Sequence, residues 1–163
     1  MKNIEFGVKG ALADGTYYNL SYFMVDWDNP QLNTSTPVNG YYAVVNGDTA
    51  QINGFDVELS GSAGAIDWNV GYSNKNARLS SDFYTPADTP VLYARSGAKL
   101  PGSPDHTFNL NLAHTSYFGK TDDILSGMGM VNRLDLYAQS STRNYIGDNS
   151  AYDAEFDGFN IIN

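Results

Sequence analysis

The sequence predicts an all-β fold: an antiparallel up-and-down meander of about seven strands, forming a partial section of a large transmembrane β-barrel. Three observations predict it. Thr107 to Ala113 alternate cleanly, with Phe108, Leu110 and Leu112 on one face and Thr107, Asn109 and Asn111 on the other, and six further stretches repeat the pattern. These stretches reach the ~9–11 residues a tilted strand needs to cross a bilayer, longer than the ~5–6 of a typical globular strand. The connections alternate short and long, as in barrels whose tight turns face the periplasm and whose longer loops face outside. The alternative is a soluble β-sandwich with a binding or adhesin role. It would alternate too, but has no reason to keep its short turns at one end.

The strands follow in order. The first, Asn3 to Leu12, groups Ile4, Phe6, Val8 and Leu12 against Glu5, Gly7, Lys9 and Ala11, and ends at the hairpin signal Asp14-Gly15. The second, Tyr17 to about Trp27, groups Tyr18, Leu20, Tyr22 and Met24. Phe23, Val25 and Trp27 sit on its other face, so the alternation weakens there. A long loop is expected over Asp28–Thr49, which holds Pro30, Pro37, Asn39-Gly40 and Asn46-Gly47. The third strand, Ala50 to Ser60, groups Phe55, Val57 and Leu59. A short turn is expected at Gly61–Gly64, then the fourth strand, Ile66 to about Leu79, with Ile66, Trp68, Val70 and Tyr72 together. A second long loop, Ser80–Asp105, carries Pro86, Pro90, Pro101 and Pro104. The fifth strand is Thr107 to Tyr117, the link Gly119–Ser126 is intermediate, and the sixth strand, Gly127 to Ser140, groups Met128, Met130, Leu134, Leu136 and Ala138. A third long loop, Ser141–Tyr152, precedes a seventh strand, Asp153 to Asn163. Tyr18, Tyr22, Trp68 and Tyr72 on the apolar faces suit aromatic girdles.

Composition narrows the function classes. The 163 residues are 42% hydrophobic, yet no apolar run approaches the ~18 residues of a membrane-spanning helix. Eighteen acids against 9 bases, a net charge of −9, disfavour nucleic acid as a partner. Without cysteine there is no disulfide framework and no thiolate metal site. Met1 to Phe6 enter a strand at once, with no secretory leader pattern. The chain is thus either soluble and cytoplasmic, or one whose own N-terminus lies upstream.

No catalytic, cofactor or metal site is expected. His106 and His114 share a strand face but stand roughly 26 Å apart along it, too far for one metal or a dyad. No nucleophile elbow occurs. Asp26 and Asp28 put two carboxylates near a strand end, but lack the glycine and distal glutamate of an EF-hand. Gly127-Met128-Gly129 is too short for a phosphate loop. The acceptor patterns at Asn19 and Asn33 mean little if the host is bacterial, as a barrel implies. Lys9, Glu58, Arg133 and Asp135 on the polar faces are expected to pair across strands. Tyr41, Tyr42, Phe83, Tyr84, Tyr93, Arg95, Arg143 and Tyr145 lie in the long loops, where a ligand would be met. The ligand-binding residues themselves are not specified by the sequence.

Several segments, in order and across essentially the whole chain, carry a resemblance. Asn3-Ile4-Glu5-Phe6-Gly7-Val8-Lys9-Gly10 is similar to an N-x-E-x-G-x-K-G strand. Asn53-Gly54-Phe55-Asp56-Val57-Glu58-Leu59 is similar to an x-G-x-E-x-E-L segment, with Asp56 for the usual glutamate. Leu100-Pro101-Gly102-Ser103-Pro104-Asp105-His106 resembles an L-P-G-x-P-x-H lead into a descending strand. These resemble the late, C-terminal barrel region of TonB-dependent outer-membrane receptors. The resemblance implies that residues 1–163 are one section of a larger barrel, with the plug domain and the final strands lying elsewhere in the parent. It implies no enzyme activity and no cofactor. It also implies a place in the bacterial outer membrane among its lipids, import of a scarce nutrient (an iron chelate, vitamin or glycan), and contact with the energy-coupling TonB protein only through other parts of the parent. The lipid face expected from this reading is Val8, Leu20, Val57, Val70, Leu110, Leu112, Leu134 and Leu136. Thr36, Asp88 and Asp148 are expected outside the cell, with Asp14 and Ser62 on the periplasmic side.

Overall fold

The computed structural model describes residues 1–35, 42–84, 90, 92–118, 127–143, 146 and 159–162. Its main sheet has seven strands: β1 (Lys2–Ala11), β2 (Tyr17–Asp28), β5 (Thr49–Ala63), β6 (Ile66–Leu79), β9 (His106–Phe118), β10 (Met128–Gln139) and β11 (Phe159–Ile162). Each is antiparallel to its neighbours in that order. The remaining strands form two small ribbons, β3 (Gln31–Ser35) with β4 (Tyr42–Asn46), and β7 (Phe83–Tyr84) with β8 (Leu92–Ala94). The expected seven-strand meander is the main sheet.

Two expected boundaries are corrected. β5 continues through Gly61 to Ala63, so its turn is Gly64-Ala65 rather than Gly61–Gly64. Gly64 has φ +64°, as a two-residue hairpin turn with glycine first requires. At the β1–β2 turn the Gly15 amide donates to the Leu12 carbonyl, and Gly15 adopts φ +85°. The second correction concerns the long loops, which hold strands. Asp28 pairs Thr49 and Gln31 pairs Asn46 in one unbroken register. Between those pairs the Asn29 amide donates to the Asp48 carbonyl and the Gly47 amide to the Pro30 carbonyl. β2–β3 and β4–β5 are therefore one ribbon, kinked where Asn29 takes φ +51°. The expected link Gly119–Ser126, most of the third loop, and Asp153 to Gly158 of the seventh strand lie outside the described residues.

Register decides which side chains share a face, because successive residues of a strand point to opposite sides. Val8, Leu20 and Val57 are successive partners, as are Val70, Leu110 and Leu136, and Leu112 pairs Leu134. All eight residues expected to face lipid fall on one side of the sheet. With them lie Ile4, Phe6, Tyr22, Phe55, Trp68, Tyr72 and Phe108. None of these is buried, and Phe6 is 70% exposed. A sandwich would cover this face with a second sheet; among the described residues nothing buries it.

The apolar band also drifts from strand to strand. The rung holding Ile4 and Met24 becomes polar at Asn53 and Asn76. The rung Gly61, Trp68, Leu112 and Leu134 has no counterpart on β1, which has already ended. Such a shift toward the turn end is what strands tilted to a membrane plane require. Aromatic rings lie across glycines on the paired strand, Tyr18 over Gly10 and Trp68 over Gly61, filling space that no side chain of the partner occupies.

Candidate functional site at the loop end of the sheet

The opposite face of the sheet is polar and laced by hydrogen bonds. Asn111 Nδ2 donates to Asp135 Oδ1 at 2.8 Å, Asn109 Nδ2 to Asn69 Oδ1 at 3.2 Å, and Ser62 Oγ to Asp67 Oδ1 at 2.6 Å. Glu58 accepts from Asn69 at 3.4 Å. The expected pairing of Lys9, Glu58, Arg133 and Asp135 is thus corrected for the two carboxylates. They take neutral amides of the adjacent strands, Asn111 directly opposite Asp135 and Asn69 one rung along from Glu58. A face of this kind is wet, and the apolar face opposite it is not.

The buried core lies elsewhere, at the loop end. Leu32, Ala50, Ala77, Leu79, Phe83, Ala94, Leu100 and Ile146 form one cluster, with Trp27, Val45, Ile52, Tyr93 and Ala98 packed against it. Trp27, Ala50, Ile52, Ala77 and Leu79 belong to the polar side of their strands. Trp27 is packed against this cluster, which accounts for the loss of alternation near the end of β2. Phe83 meets Tyr93 edge-on, with ring centroids 5.8 Å apart.

A charged clasp closes this cluster at its rim. Arg78 gives both guanidinium nitrogens to the Asp105 carboxylate, at 3.1 and 3.2 Å, and Lys99 Nζ reaches the same carboxylate at 3.1 Å. Lys99 also donates to the Ser141 carbonyl at 3.0 Å, and Ser140 Oγ accepts the Asp105 and His106 amides. Partial burial pulls the Asp105 carboxyl upward, but the hydrogen bonds from Arg78 and Lys99 outweigh it and hold the group below the ordinary aspartate value. A depressed folded value contributes stability above the unfolded pKa of ~3.9, and that stability is lost as the pH falls through the folded value. Residues 99–106 should therefore keep their amide protection unchanged from neutral pH down to about pH 4, and the protection should fall, by about fivefold in all, as the pH drops further. Asp105→Asn should remove that acid step and cost about 1 kcal/mol at neutral pH, a small figure because the pair is nearly a third exposed. Amide exchange at pH 7 and pH 3.5 checks both. At the far end of the sheet the Asp14 carboxyl is likewise held below its usual value, there by hydrogen bonds from Thr16.

The expected ligand-side residues divide. Phe83 is corrected: at 3% exposure it belongs to the loop-end core and presents nothing to a ligand. Tyr84, 50% exposed, and Arg95 are on the surface, and Tyr93 is half-buried. The Arg143 carbonyl accepts the Gly102 amide at 2.7 Å. Tyr41, Tyr145 and the Tyr42 side chain lie outside the described residues. His106 Nδ1 lies 2.8 Å from the Tyr72 hydroxyl and 3.2 Å from Asn74 Nδ2, on the apolar side where its band ends. Asp26 accepts from Gln51 at 3.1 Å. Among the described residues no three acids or histidines converge as a metal set.

A sheet that exposes a band of apolar side chains on one face and carries amides and carboxylates on the other, with short turns at one end and the longer connections at the other, is the wall of a transmembrane β-barrel. A family model described as TonB dependent receptor-like, beta-barrel, matches residues 1–163, and the chain belongs to that family of outer-membrane receptors. No curated protein and no solved structure matches the chain significantly.

Proposed function

We propose that this chain is one section of the barrel wall of a bacterial outer-membrane importer, whose remaining strands and plug domain lie in other parts of the parent protein. The imported molecule is a scarce nutrient of the iron-chelate, vitamin or glycan class, and import is energised through the TonB complex. The observation that carries the reading is the two-faced sheet, because only lipid on one side and a wet lumen on the other satisfies both faces. Edge strand β1 supports a larger barrel: ten residues with one paired side need a further strand once in lipid. Cells carrying the full-length receptor should take up one nutrient of these classes, and lose that uptake when either the receptor or the TonB protein is removed. Uptake unaffected by loss of the TonB protein overturns this reading in favour of a passive barrel.

The loop end is proposed to face outside and the Asp14 and Gly64 turns the periplasm, since periplasmic turns in these barrels are short. Cysteines replacing Val44, 65% exposed, and the exposed Arg95 should react with an impermeant thiol reagent on intact cells, while one replacing Asp14 stays protected. The reverse pattern inverts the orientation.

A further inference from the structure

Three connections, leaving the sheet from three strand pairs, place side chains in one buried cluster. Leu32 comes from β3, Phe83 and Ala94 from β7 and β8, Leu100 from the segment before β9, and Ile146 from beyond β10. Each is at most 6% exposed. The described side chains on the apolar face of the sheet contain no buried residue at all. The connections are also tied by polar contacts, and the middle one holds both of its neighbours. On one side the Ser80 amide donates to the Thr49 carbonyl at 3.0 Å and the Thr49 amide to Ser81 Oγ at 3.0 Å, fixing the base of the β3–β4 ribbon. On the other, Gly102 bonds Arg143 through the backbone and Lys99 bonds the Ser141 carbonyl.

A side chain in a shared core loses its contacts whenever any contributor leaves. Opening one connection therefore exposes apolar surface on the other two, and their opening equilibria cannot be independent. We propose that the described parts of these connections, 31–35 with 42–46, 92–105, and 140–143 with Ile146, share one opening equilibrium held through Leu32, Leu100 and Ile146, so that loosening one loosens the other two. Coupling of this kind is reciprocal. It requires that a change made in the first connection be read in the third, and the converse.

Segment-resolved amide exchange on the full-length receptor tests this. Leu32→Ala should speed exchange about tenfold or more in 92–100 and 140–143 as well as in 31–35. Ile146→Ala should do the same to the β3–β4 ribbon. Strand centres around Leu110 and Leu136 should not change, and Val44→Ala, on the exposed side of the ribbon, should leave all three connections as they were. Should either alanine variant fail to assemble, Leu32→Val and Ile146→Val remove less volume and read the same coupling. Faster exchange confined to the mutated connection, in either direction, overturns the proposal.

Discussion

Leu134→Arg should cost about 2–4 kcal/mol of barrel stability, the cost of an arginine on the lipid face near the midplane. Leu134 pairs Leu112 and sits mid-way along the apolar side of β10, between Met130 and Ala138. A guanidinium there meets the apolar side chains of Trp68 and Leu112 on its rung. Asn111→Ser on the opposite face should be mild, about 1 kcal/mol or less, because it gives up one exposed hydrogen bond to Asp135 and water replaces it. Denaturant unfolding and heat-resistant gel mobility of the full-length receptor give both numbers. Equal tolerance of the two substitutions would mean that the apolar face does not meet lipid.

The pairing of faces was legible in the sequence because it depends only on a period of two. Phe108, Leu110 and Leu112 alternate with Thr107, Asn109 and Asn111, and a barrel strand has no other way to satisfy lipid and water together. The β3–β4 ribbon was not legible. Asn29-Pro30 and Asn46-Gly47-Asp48 carry the residues of turns, and there they make only a kink in a continuing register. The β5–β6 turn was misplaced for a related reason. Gly61 looks like turn chemistry, but it is a strand glycine under the Trp68 ring, and only Gly64 has the positive φ. The clasp of Arg78, Lys99 and Asp105 was hidden because its members are separated by up to 27 residues and carry no spacing rule. Their meeting follows from the β6–β9 pairing, which places Asn74 opposite His106 and so brings Asp105 to the end of β6. The same pairing explains why charge collects at the loop end: there the strands have passed beyond the apolar band, and ions are hydrated or paired.

Phe83→Ala should loosen the loop end by about 3–5 kcal/mol while leaving the barrel assembled. Phe83 is 3% exposed, its ring meets Tyr93 edge-on, and it belongs to the one buried cluster found among the described residues. Truncation leaves a cavity that Ala94 and Leu100 are too small or too constrained to fill, so the transfer and cavity terms add. The sheet does not depend on this cluster. Its strands are held by their own ladders, and in the membrane its apolar face is satisfied by lipid. Tyr84→Ala, one residue away and half exposed, should change stability by less than about 1 kcal/mol. Proteolysis of intact cells reads the difference: Phe83→Ala should become cleavable within 80–105 at protease levels that spare Tyr84→Ala, with heat-resistant gel mobility unchanged in both. Loss of that mobility in Phe83→Ala would show that the loop-end core holds the barrel wall together, rather than being a separate body built upon it.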